Sequence, residues 1–287
     1  MTERNHNFAR WGLGFAAVVA ILIVGIIIGT LLRTGDSDSK APPPPISVPA
    51  PDKAKPPAAS VPLLPLERPQ LLAAAAAAAD AVAGGQPLPA RNASLVGRSF
   101  VIRLPFGCDG PLADLESEWA GWNYNPKTHA LKLRAQPQIW SEDPWAQAIA
   151  GQTPYEAIEG FWIRRSWTNA PTCPKALSAE RSSSAGDGGA RQTVGIAQFF
   201  APGAPRTMRR GTRPYAVTLK ADEDLGNDPR EYHLLISGRI TGFADGQPVH
   251  CWNEADHLPP VCLIAAEFSR VAFEDVRGGK TLSEWRN

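Results

Sequence analysis

VCLIAAEFSRVAFEDVRGGKTLSEW, residues 261–285, is the stretch on which the fold turns. It reads as a long strand over 261–274, a reversal at Gly278-Gly279 and a final strand over 281–285. The same texture of short apolar runs, broken by Gly, Pro, Asn and Asp, extends back to residue 94. It predicts seven further strands, over 99–104, 119–123, 129–135, 160–167, 193–200, 215–220 and 232–243. GWNYNPKTHALKLRA, residues 121–135, is a second hairpin: Asn125-Pro126 turns the chain, and Leu131 and Leu133 alternate with Lys132 and Arg134. PWAQAIAG around Trp145 reads as one short helix, and SSSAGDGGA at 182–190 as a loop. No long apolar segment has the 3.6-residue helical period. The expected fold of residues 94–287 is therefore mainly β, an antiparallel β-sandwich or open barrel.

The four cysteines, Cys108, Cys173, Cys251 and Cys262, all fall inside this region. An even count is what disulfides in an oxidising compartment give. Pro259-Pro260 turns the chain between Cys251 and Cys262, which favours that pair and leaves Cys108 to Cys173. A metal alternative rests on His250 and His257 beside Cys251 and Cys262, but H-C-x5-H-x4-C is a poor match to zinc spacing.

The N-terminal third is organised differently. WGLGFAAVVAILIVGIIIGTLL, residues 11–32, carries no charge and is bracketed by Arg10 and Arg33. As a helix it is about 33 Å long, against a hydrocarbon core of ~30 Å. The run exceeds a secretory h-region and no A-x-A site follows, so it reads as an uncleaved signal anchor. Residues 1–10 are then a short cytoplasmic tail. Arg4 and Arg10 before the span balance Arg33 and Lys40 after it, so lysine and arginine do not set the orientation. The cysteines favour an inside N-terminus and an exported remainder. Gly25 and Gly29 form a G-x-x-x-G suited to homodimerisation in the bilayer.

Residues 33–69 form a linker, with eleven prolines between 41 and 69. Proline fixes φ and removes a backbone donor, so this stretch favours extended polyproline II reaching up to about 110 Å. An alanine-rich helix follows over 70–84, with Pro69 at its first turn and Gly84-Gly85 at its end. It is expected to cap one side of the β domain.

A formal net charge of +1 excludes one large polycation for nucleic acid. Arginine outnumbers lysine 21 to 8 and alanine is abundant, as in a GC-rich bacterial gene. No nucleophile elbow, H-E-x-x-H, Walker loop or dinucleotide fingerprint is present, and no cofactor is implied. Arg206, Arg209, Arg210 and Arg213 in APRTMRRGTRPY form a basic run that could dock an anionic partner. Eight of nine tryptophans lie beyond residue 32, and Trp162 and Trp167, five apart on one expected strand, face opposite sides. One of them is then available as an aromatic binding surface.

A short tail, one span, a proline tether and a terminal β domain resemble the layout of TonB-type energy transducers and of the inner-membrane linker components of type II secretion. The resemblance is one of architecture, carried by no motif. It implies a bacterial inner-membrane protein whose periplasmic domain binds an envelope protein or cell-wall polymer without catalysis. The alternative is a tethered hydrolase or metal-binding protein acting on envelope glycan or peptide, with His250, His257 and nearby acids as its site.

Overall fold

A computed structural model describes residues 63–174, 191–221, 225–226 and 228–287. The expected span at 11–32 with Gly25 and Gly29, the linker as far as residue 62, and the loop at 182–190 lie outside the described residues. Among the described residues no helix is long and apolar enough to cross a membrane.

The elements follow in chain order: α1 (Arg68–Ala83), β1 (Ser99–Phe106), β2 (Ala120–Asn125), β3 (Ala130–Ala135), β4 (Gln138–Ile139), α2 (Pro144–Ala150), β5 (Ala157–Trp162), β6 (Val194–Phe200), β7 (Tyr215–Lys220), β8 (Tyr232–Ile240), β9 (Val249–Trp252), β10 (Val261–Asp275) and β11 (Lys280–Arg286). They make a mainly β structure of two sheets, consistent with a β-sandwich. The larger sheet runs β1-β8-β10-β6-β5-β4, with β9 and β11 also on β10; the smaller is β2-β3-β7.

β10 is the spine of the larger sheet. Its first part lies between β6 and β9, and its second between β8 and β11. The first six residues are buried on both faces. One face, through Cys262, Ile264 and Ala266, joins the main core shared by α1, β1, β8 and the smaller sheet. The other, through Leu263 and Ala265, joins a second cluster with Trp140, Ile149 and Phe243. Beyond β10 the chain reverses through Gly279, whose φ of 59° lies in the left-handed region that glycine adopts without strain.

Changing partners along one strand leaves a backbone group to be satisfied. Pairing with β6 stops at Ala265 and pairing with β11 starts at Arg270. Between them the Phe268 N–H donates to Oε1 of buried Gln198 at 2.8 Å. The amide of β6 thus completes the ladder where no strand does.

α1 explains its alanines. Ala74, Ala75 and Ala78 are buried, and their small side chains bring the helix close over β9 and β10. Glu67 and Gln70 form a reciprocal capping box at the N-terminus. Leu66, in the stretch expected to be linker, is buried and bridges in parallel to Phe100 of β1. The folded domain therefore begins earlier than residue 70.

Four expectations are corrected. The β6–β10 pairing is parallel, so the larger sheet is mixed rather than antiparallel. β4 and β9 add strands to the nine expected, and β9 occupies the stretch weighed as a metal site. The strand expected over 160–167 runs from Ala157 to Trp162, because Arg165 adopts a φ of 50°, outside the β region. Trp167 consequently lies in a loop, not on the opposite face of Trp162's strand.

The cysteines form Cys108–Cys173 and Cys251–Cys262, and no free cysteine remains among the described residues. Replacing Gln198 with Leu should leave the Phe268 N–H buried without an acceptor. The expected loss is about 1–3 kcal/mol of unfolding free energy, measured by urea titration of the full chain in detergent.

Candidate functional site

β4 pairs with β5 only at Gly160 and Glu159. The last residue of β5, Trp162, therefore has no strand beside it on that edge. After β3 the chain turns away instead, with the Gln136 N–H donating to the Trp119 carbonyl at 2.6 Å. The divergence opens a groove of about 230 Å³ where the end of β5 meets the entry to the smaller sheet. Trp119, Phe161 and Trp162 supply its aromatic walls, and Gln136, Gln138 and Gln192 its amides. Ser117 and the Glu118–Arg164 pair complete the rim.

The walls are built in. Trp119 meets the Phe161 ring edge-on at 6.2 Å, and the Arg164 guanidinium lies 5.9 Å from the Trp119 ring centre. Trp162 stacks on Trp145 at 5.8 Å and meets Trp140 edge-on at 4.9 Å. Gly195 makes room for this cluster. A Cβ there would stand 2.7 Å from Leu263 Cδ2, which would have to move, and 3.1 Å from the Trp140 ring, which would have to give by a few tenths of an ångström. Gln136 is oriented by accepting from Arg134 Nη2 at 3.0 Å, and the Ser117 hydroxyl donates to the Asp114 carbonyl at 2.7 Å.

Electrostatically the groove is close to balanced. Arg164 Nη1 stands 3.9 Å from Glu118 Oε2, a loose pair at a partly exposed rim. Among the described residues of the lining Glu118 is the one carboxylate and there is no histidine. The chemistry on offer is stacking on aromatic faces, donor and acceptor pairs from amides, and little net charge.

The basic run is placed elsewhere, against β5. Arg206 and Arg209 bind Glu156 Oε1 at 2.6 and 2.8 Å. Buried Glu159 accepts from the Arg210 and Gly211 backbone N–H groups at 2.9 and 3.0 Å, and from Arg209 Nε at 3.4 Å. Arg210 stacks 4.8 Å over Tyr215 and donates to the Pro214 carbonyl, while Arg213 Nε reaches the Arg210 carbonyl at 3.4 Å. These guanidinium groups fold a loop onto the strand. Glu156, just before β5, and Glu159 within it are the partners of the run, and their distance along the chain hides them from a sequence reading.

The residues of the metal alternative do not assemble. Cys251 and Cys262 are bonded to each other. His250 stacks on Phe243 at 4.0 Å, with Nδ1 at 2.9 Å from the Ile149 carbonyl and Nε2 at 3.0 Å from Asp245 Oδ2. Partial burial pushes the Asp245 carboxyl up, but hydrogen bonds from Gln247 and His250 outweigh it and hold it below the usual range. His257 is exposed on the turn after β9, and no cluster of three metal-binding side chains occurs among the described residues. His233 is buried on β8 beside Glu231, at 3.0 Å.

Of the two tryptophans singled out from the sequence, Trp162 lines the groove and Trp167 does not. Trp167 stands 75% exposed on the following loop. Trp119, Gln136, Gln138 and Arg164 were missed, because their convergence depends on where β3 and β5 separate. Compared with protein-family models, curated proteins and solved structures, the chain shows no significant match.

Hydrogen bonding from Arg209 lowers the Glu156 pKa, with the Arg206 and Arg209 charges adding to it. A carboxylate with a depressed folded pKa contributes stability above its unfolded pKa and loses it as pH falls through the folded one. Acidification from pH 7 to below about 4 should therefore loosen the 206–209 part of the loop, which Glu156 holds. Amide exchange there should rise while exchange in β8 and β10 stays slow.

Proposed function

We propose that this chain is a membrane-tethered envelope protein whose exported mainly β domain binds a glycan strand of the cell wall in the Trp119–Trp162 groove, without catalysis. The observation that carries the reading is the composition of that groove: aromatic walls, three glutamines and one loosely paired carboxylate. A sugar ring presents apolar C–H faces and a rim of hydroxyls, which stacking and amide hydrogen bonds match together. Hydrolysis of a glycosidic bond ordinarily needs two flanking carboxyl groups, and among the described residues the lining provides Glu118.

The rest of the reading comes from the sequence. The uncharged 11–32 run acts as a signal anchor with its N-terminus inside, and the proline-rich stretch before Leu66, the first buried residue among those described, as a spacer. The sandwich follows on the periplasmic side of a bacterial inner membrane, where the two disulfides are supported. A reporter that works only in the cytoplasm, fused after Asn287, should stay dark; a bright fusion reverses the topology.

Full-length protein in detergent should co-sediment with purified insoluble cell-wall glycan, and added salt should weaken this little, since the groove carries little net charge. Trp119→Ala and Trp162→Ala should each weaken retention roughly tenfold, corresponding to about 1.4 kcal/mol of lost stacking and burial. Failure of the wild type to bind glycan, or capture of wall peptide alone, overturns the assignment.

A further inference from the structure

Arg68 is an anomaly of placement. It occupies the first position of α1, where the helix dipole disfavours a cation, and no acidic residue stands in the first turn to offset it. It is 3% exposed, and burial followed by repulsion from Arg165 pushes its pKa down to about 10, so it is still charged at neutral pH. Among the described residues its guanidinium donates to no carboxylate. Nη2 donates to the Arg164 carbonyl at 2.7 Å and the Arg165 carbonyl at 2.9 Å, and Nε donates to the Thr168 carbonyl at 3.0 Å. All three acceptors belong to the loop that follows β5.

That loop holds itself only in part, through bonds from the Ala170 N–H to Thr168 Oγ1 and from the Arg165 guanidinium to the Thr172 carbonyl. Arg165 is a non-glycine residue in the left-handed region, a conformation that surrounding contacts must impose. Its carbonyl is fixed by Arg68 on one side and accepts the Thr168 N–H at 3.0 Å on the other. Ser166 Oγ meets Thr193 Oγ1 at 3.0 Å, and Cys173 anchors the far end through its disulfide to Cys108. Arg164 is both the first residue Arg68 grips and the residue whose guanidinium lies over the Trp119 ring in the groove.

We propose that Arg68 is a positioning residue for the groove: by gripping the carbonyls of Arg164, Arg165 and Thr168, it sets the wall that Arg164 and Trp119 present to a ligand. The role suits arginine because its planar fork offers several donors in fixed directions, whereas a lysine ammonium is a compact point charge on a flexible stem. The ligand part of this proposal rests on the reading of the groove as a glycan site; the grip on the loop does not.

The test compares full-length wild type, Arg68→Met and Arg68→Lys in detergent. Amide exchange at residues 164–168 is read beside exchange in β8 and β10, and retention on insoluble cell-wall glycan is measured in parallel. Arg68→Met should accelerate exchange at 164–168 at least tenfold while β8 and β10 keep their protection, and should weaken glycan retention several-fold. Arg68→Lys should recover part of both. In the Arg68→Met/Trp119→Ala chain the two losses of retention should be less than multiplicative, which a uniform loss of stability does not produce. If Arg68→Met does not fold, Arg68→Lys alone carries the comparison. Unchanged exchange at 164–168 and unchanged retention overturn the positioning role. Faster exchange at 164–168 in a series whose wild type binds no glycan upholds the grip and overturns the glycan reading instead.

Discussion

Backbone hydrogen bonding along β10 constrains everything around it, because none of its four partner strands runs its full length. A strand of fifteen residues presents two rows of donors and acceptors, and each must be matched where water is excluded. The sheet answers by changing partners part-way on both sides. β8 and β9 share one edge and β6 and β11 the other, with a register shift opposite β8 near Phe268. The first part is also buried on both faces, so one stretch of apolar sequence holds two hydrophobic clusters together.

The groove follows from the same mixed sheet. β6 lies parallel to β10 and carries β5 outward, and β5 extends two residues past its last contact with β4. A sheet edge left uncovered at an aromatic residue exposes backbone groups and ring surface together. The tryptophans concentrate there. Trp140, Trp145 and Trp162 pack against one another across the small surface of Gly195, while Trp119 reaches the same opening from the smaller sheet. The rings of Trp119 and Trp162 are thus partly core and partly groove wall.

Local signals exposed a good deal of this. Turn chemistry at Asn125-Pro126 and Gly278-Gly279 marked two hairpins that pair as expected, and the Pro259-Pro260 turn pointed to the disulfide between β9 and β10. What stayed hidden depends on partners distant in the chain. Val249–Trp252 lacks the length and patterning of a strand, and becomes one because β10 is beside it. The arginines at 206–213 look like a solvent-facing patch until Glu156 and Glu159, some fifty residues earlier, are brought under them. The groove needs three separate segments to converge, and no spacing within any one of them records it.

Five polar side chains are buried among the described residues: Arg68, Asn92, Glu159, Gln198 and His233. Four of them bond to backbone. Gln198 accepts from β10 where the partners change, Glu159 accepts from the basic loop, Asn92 donates to the Ala74 carbonyl of α1, and Arg68 grips the loop after β5. Apolar packing cannot do this, since it is non-directional and leaves a buried N–H or C=O unpaired. The polar residues therefore stand at the seams, where one regular element stops before the next begins. The groove is such a seam. Its aromatic walls come from the hydrophobic clusters, but the course of the chain around it is fixed by hydrogen bonds from Arg68. The groove walls and the geometry of the loop beside them thus depend on different residues, and a substitution in α1 can alter a surface that α1 does not line.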